Sequence, residues 1–120
     1  MPSPSLTSYR ETLRQRSRAA DQEQVRRRKQ GRHAAQRAAA RLKRDYGATR
    51  VVLFGSFARE GRLGPRSDID LAVWGVPPAS YYEAVARVQE VVAPFRADLI
   101  RMERSPGSLR DHVQQEGIEL

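Results

Sequence analysis

The spacing of apolar side chains changes character near residue 47, from a helical period to short strand-like runs. From about Ser8 to Asp45 there is no proline and one glycine, Gly31, in a stretch dominated by Arg, Gln, Ala and Glu, which favour helix. Ala34, Ala38, Leu42 and Tyr46 recur at intervals of four, flanked by Ala35 and Ala39. That spacing puts them on one helical face and predicts a packed helix over residues 32–46, ended by Gly47. Leu6, Tyr9, Leu13 and Ala20 form a weaker stripe, and Gln24–Lys29 offers only Val25 for burial. Residues 1–31 therefore read as a basic, helical, partly exposed extension, and residues 32–120 as the domain. Pro2 and Pro4 predict an extended or disordered start over residues 1–7.

After Gly47 the pattern is that of short buried strands. Arg50–Phe54 (RVVLF) is β-branched and aromatic, and stops at Gly55-Ser56. Phe57–Glu60 can start a short helix, followed by a loop, GRLGPRS. Asp68–Trp74 (DIDLAVW) alternates as a second strand, with Ile69, Leu71 and Val73 on one face. Ser80 and Glu83 form a capping-box pattern for a helix over Tyr81–Val92, with Tyr82, Val85, Val88 and Val92 facing inward and Tyr81 outward. Arg96–Arg101 (RADLIR) is a third strand, and Leu109–Glu116 a final helix closed by Gly117. The fold class is α+β: a small mixed sheet of about three strands packed with helices, preceded by a long N-terminal helix.

Composition narrows the chemistry. A chain of 120 residues holds one compact domain, and the absence of cysteine excludes disulfides, thiolate zinc sites and cysteine nucleophiles. No signal-peptide core or membrane-length apolar run is present, so a cytoplasmic protein with no membrane partner is expected. The formal charge of +8 is uneven. Residues 1–46 hold thirteen Lys/Arg against four Asp/Glu, whereas residues 47–120 hold nine against ten. Such an arm can attract nucleic acid or an acidic partner, or simply be a solvated helix face. It lacks the interleaved aromatics that stack bases, so nucleic-acid binding ranks lowest.

Two short motifs carry chemistry together. Gly55-Ser56 follows directly on a strand, where glycine admits a phosphate close to the backbone and the first N–H groups of a helix can point at it. In Asp68-Ile69-Asp70 the two carboxylates fall on one side of an extended chain while Ile69 enters the core. Close carboxylates repel unless a cation lies between them, and a hard divalent ion such as Mg²⁺ suits oxygen ligands. Asp98, in the next strand, supplies a third carboxylate if that strand adjoins the second; the alternative is an ion pair to Arg96 or Arg101. Three carboxylates can hold two metal ions. His33 and His112 lack metal-ligand neighbours and read as surface residues, and Trp74 as a packing or edge residue. Arg62 and Arg66 flank the site, within reach of a triphosphate but more simply read as solvated.

The segment LFGSFAREGRLGPRSDIDLAV resembles the signature of the minimal nucleotidyltransferases in the DNA-polymerase-β-like superfamily. The resemblance spans about residues 33–120, including the closing Glu-Gly-Ile-Glu-Leu. It implies that Gly55 and Ser56 hold nucleotide phosphates, that Asp68 and Asp70 ligate Mg²⁺, and that Asp98 is the third catalytic and metal-binding carboxylate. One departure is Glu60, which separates Arg59 from Gly61 where the family usually reads Arg-Gly. The resemblance further implies transfer of a nucleoside monophosphate, AMP from ATP above all, to a partner protein. The chain would then be the antitoxin of a toxin–antitoxin pair whose partner is a HEPN-type toxin. The alternative is a catalytically silent nucleotide-binding or scaffold subunit that neutralises a partner by binding.

Overall fold

The computed structural model describes residues 5–120; the expectation of an extended start falls largely on residues 1–4, which lie outside the described residues. Ser5 is extended and its hydroxyl accepts from Ser8 N–H, so helix begins at Leu6, earlier than expected. This helix, α1 (Leu6–Tyr46), runs without a break for 41 residues and is capped by Gly47. At 1.5 Å per residue it is about 60 Å long, and it sets the 70 Å long axis of the molecule. Its N-terminal half projects: Leu6, Tyr9, Leu13 and Val25 are exposed. The expected stripe does the packing, with Ala34, Ala35, Ala38, Ala39 and Leu42 buried.

The sheet is formed by β1 (Arg50–Phe54), β2 (Ile69–Trp74), β3 (Ala97–Arg101) and β4 (Ile118–Glu119), in the order β3-β2-β1-β4. Strand β1 is antiparallel to both β2 and β4, while β2 and β3 are parallel. The fourth strand exceeds the expected three. Two residues are too few to show a period, and tertiary contacts fix this strand instead. Leu120 N–H donates to Val51 O at 3.0 Å, Lys43 Nζ donates to Leu120 O at 2.7 Å, and Arg50 pairs with Glu119.

One sheet face packs Val51, Leu53, Ile69, Leu71 and Val73 against α1 and α2 (Tyr81–Val92). The other packs Val52, Phe54 and Ala72 against Met102 and Val113, the latter from α3 (Gly107–Glu116). Within α2 the tyrosine assignment reverses. Tyr81 packs on the core and donates its hydroxyl to Leu99 O at 2.6 Å, whereas Tyr82 is 83% exposed. The buried positions are Ala84, Val88 and Val92, and this face includes Tyr81 at the i−3 position to Ala84. Ser80 makes no capping bond, because it ends a 3₁₀ turn (Pro78–Ser80) and already has helical φ and ψ. Trp74 is a packing residue, half-buried with the Arg50 guanidinium 4.5 Å from its ring centroid.

Candidate active site

Strand β1 delivers the chain to Gly55, whose φ of +73° carries it into a sharp turn. Ala58 and Arg59 N–H both donate to Gly55 O, at 3.0 and 3.1 Å, and the turn goes no further. The short helix expected over Phe57–Glu60 does not form. The carbonyls it would need are taken by α1: Arg32 Nε donates to Phe57 O at 2.8 Å and Arg32 Nη2 to Ala58 O at 3.3 Å. Arg28 donates to Ser56 O at 2.8 Å and also to Arg59 O and Gly61 O. Guanidiniums thus replace the backbone donors of a second helical turn. Ser56 and Phe57 N–H donate to no protein acceptor among the described residues, so two amides at the corner could donate to an anion.

Two other α1 residues tie down the following loop. Gln24 exchanges two hydrogen bonds with Leu63, accepting from its N–H at 2.7 Å and donating to its carbonyl at 3.1 Å. Arg27 donates to Gly64 O at 2.6 Å and Pro65 O at 3.2 Å. Gly31 lies beneath Phe57, whose ring fills the place a side chain would occupy. The sequence reading missed Gln24, Arg27, Arg28, Gly31 and Arg32 as supports of the site. Their available signal was the spacing 24, 28, 31/32, which is one helical face. The boundary drawn between residues 31 and 32 falls inside this continuous helix.

The carboxylates assemble through strand register. Asp70 is directly opposite Phe54 of β1 and directly opposite Asp98 of β3. Asp68 precedes β2 by one residue and is half-buried, as is Asp70, while Asp98 is exposed. A Cβ at Gly55 would collide with Asp70 Oδ2, so the glycine corner and this carboxylate touch. The Asp70 pKa is pushed up to about 6, first by burial, then by Asp98 and Asp68, against a smaller opposing pull from Arg59. Asp98 forms no ion pair with Arg96 or Arg101 among the described residues. Arg59 instead lies 3.7 Å from Glu116 of α3, which is also 3.2 Å from His112.

As placed, no three or more His, Asp or Glu side chains among the described residues form a group that could hold a metal ion. The three aspartates form an open electrostatic cluster centred on Asp70. Their donor chemistry fits a hard divalent cation, and such a cation would relieve the repulsion that raises Asp70.

The mixed four-stranded sheet packed with helices is the fold of a nucleotidyltransferase. The family model described as polymerase beta, nucleotidyltransferase matches residues 37–120, and the chain belongs to that family. Among solved structures it is similar to a proposed minimal nucleotidyltransferase, with 26% identity, a TM-score of 0.62, and coverage of 74% of this chain and 91% of that one. It is also similar to a chain of a toxin-antitoxin with AMP-PNP, with 23% identity, a TM-score of 0.58 and 69% of each chain covered. A mutant form of the toxin-antitoxin MntA-HpeT gives 21% identity, a TM-score of 0.57 and 68% coverage of each chain. No curated protein matches. Enzymes of this fold generally work with divalent metal ions. No helix among the described residues is long and apolar enough to cross a membrane.

Proposed function

We propose that this chain transfers AMP from ATP to a hydroxyl of a partner protein, as the antitoxin of a pair whose partner is a HEPN-type toxin. The observation that carries the proposal is the position of Asp70, opposite Asp98 and in contact with the Gly55 corner. The acceptor oxygen bonds to the α-phosphorus, the bond to the bridging oxygen breaks, and pyrophosphate leaves with the electron pair. Two Mg²⁺ ions, when bound, would supply charge neutralisation at the triphosphate. Asp68 and Asp70 would hold the ions, with Asp98 as the third carboxylate, which would take up the hydroxyl proton. Gly55 brings the backbone close to the phosphates, and the Ser56 hydroxyl and the Ser56 and Phe57 amides donate to them. Residues 32–120 form the catalytic domain and residues 1–31 its basic extension. The resemblance to chains of toxin–antitoxin structures supports the choice of pathway partner.

The purified protein, labelled ATP, Mg²⁺ and the product of the adjacent reading frame make the test. Label should appear on the partner and disappear with Asp68→Asn or Asp70→Asn. A folded protein that leaves the partner unlabelled, while binding ATP indifferently to Mg²⁺ and to both substitutions, would instead be the silent scaffold subunit.

A further inference from the structure

The strand directions bring three chain positions to one end of the sheet. Gly55-Ser56 follows β1, Asp68 precedes β2, and Arg96 precedes β3; with β1 antiparallel to β2 and β2 parallel to β3, all lie at the same edge. Asp68 is in the middle. On the side away from the Gly-Ser corner a groove of about 620 Å³ opens, bordered by Asp68, Arg66, Arg96, Pro65, Pro94 and Phe95. Arg27 also reaches it but is committed to the Gly64 and Pro65 carbonyls. Arg66 and Arg96 are exposed and pair with no carboxylate among the described residues.

In-line displacement requires the acceptor to approach opposite the leaving pyrophosphate. With the phosphates at Gly55-Ser56, the acceptor would enter across Asp68, from the β3 end of the sheet where this groove opens. From this geometry we infer that the groove is the acceptor's docking site and that it takes a carboxylate-rich peptide segment flanking the acceptor hydroxyl. The inference rests on the protein-acceptor reading above. Two free guanidiniums match carboxylates in forked geometry. The proline and phenylalanine wall gives the side chains between those carboxylates an apolar seat. A nucleic-acid backbone would call instead for a longer basic track with stacking aromatics.

Fluorescence anisotropy on the full chain without nucleotide provides the test, using a labelled Glu-rich peptide, its Lys-rich counterpart and a single-stranded oligouridylate. The Glu-rich peptide should bind preferentially, weaken with added salt, and lose about tenfold or more in affinity in the Arg66→Ala/Arg96→Ala double variant, a loss of about 1.4 kcal/mol. Binding of Mg²⁺·ATP to that variant should stay within about twofold of the parent, well under 1 kcal/mol. Equal binding of the two peptides, no effect of the double substitution, or preference for the oligouridylate lost on substitution would each overturn the inference. A parallel loss of ATP affinity would assign the groove to the nucleotide and overturn it too. Peptide binding needs no turnover. Failure of AMP transfer with intact, arginine-dependent peptide binding therefore counts against the proposed function and leaves the groove standing.

Discussion

Gly31 and Phe57 occupy one space: the ring of Phe57, fully buried, lies where a side chain on Gly31 would have to stand. Phe57 is in turn held edge-on by Phe95, with ring centroids 5.6 Å apart, so the ring has little freedom to yield. Because Phe57 directly follows Gly55-Ser56, this one helical glycine sets the height of the corner above α1. Gly31→Ala should therefore cost about 1–3 kcal/mol through overpacking, against a gain of up to about 1 kcal/mol in helix propensity. We expect a lower melting temperature and weaker ATP binding. Thermal unfolding and calorimetry check both, and a variant of raised stability with unchanged ATP affinity would remove Phe57 from this role.

Removing the arginine braces should affect the site more than the fold. Arg28 and Arg32 donate to the carbonyls of Ser56, Phe57, Ala58, Arg59 and Gly61, and neither forms an ion pair among the described residues. Hydrogen bonds to charged groups contribute about 1.5–3 kcal/mol. Arg28→Ala/Arg32→Ala should weaken ATP binding by about tenfold or more and speed amide exchange across residues 56–61, while β1–β3 stay protected. Unchanged exchange in that loop would contradict the bracing role.

The raised Asp70 pKa has a stability consequence of definite sign. Between its ordinary 3.8 and about 6 the folded chain keeps a proton that the unfolded chain releases. Rising pH through that window therefore destabilises the metal-free fold, and the penalty is complete above about pH 6. Discounted for partial solvent exposure, it is about 1–2 kcal/mol. In chelator, Asp70→Asn should melt about 3–8 °C above the parent at pH 8 and level with it at pH 4, where both carry an uncharged group. A pH-independent difference would mean that Asp70 is not strained by its charge.

Two truncations divide α1 by function. Leu6, Tyr9 and Leu13 are exposed, and hydrogen bonds from α1 to the domain begin at Gln24. Deleting residues 1–20 should leave melting temperature and ATP affinity unchanged. Deleting residues 1–31 also removes Gln24, Arg27, Arg28 and Gly31, and should lower both. Equal behaviour of the two proteins would show that the last turns of the extension contribute nothing to the site.

The tyrosine pair at the head of α2 allows a fifth comparison. Tyr81 donates to Leu99 O at 2.6 Å, one residue from Asp98, while Tyr82 is exposed. Tyr81→Phe should cost about 1 kcal/mol by losing a half-buried hydrogen bond, and Tyr82→Phe nothing measurable, both read by urea unfolding.

Sequence alone determined the elements whose cause is local. The stripe Ala34, Ala38, Leu42 packs as its period of four requires, because one helical face must meet the sheet. β1 matches its predicted bounds, and β2 and β3 start one residue inside theirs, because buried β-branched runs have few alternatives. Asp70 and Asp98 became neighbours only through the parallel register of β2 and β3, which no local pattern encodes. The same holds for the corner. Its helix failed to form because distant guanidiniums took its carbonyls, and a basic run that looked solvated became its support. β4 and the exchange of Tyr81 for Tyr82 also depended on partners far along the chain. Local periodicity fixes which face of an element is apolar; only the packed chain decides which polar groups meet, since their partners are set by register and tertiary approach.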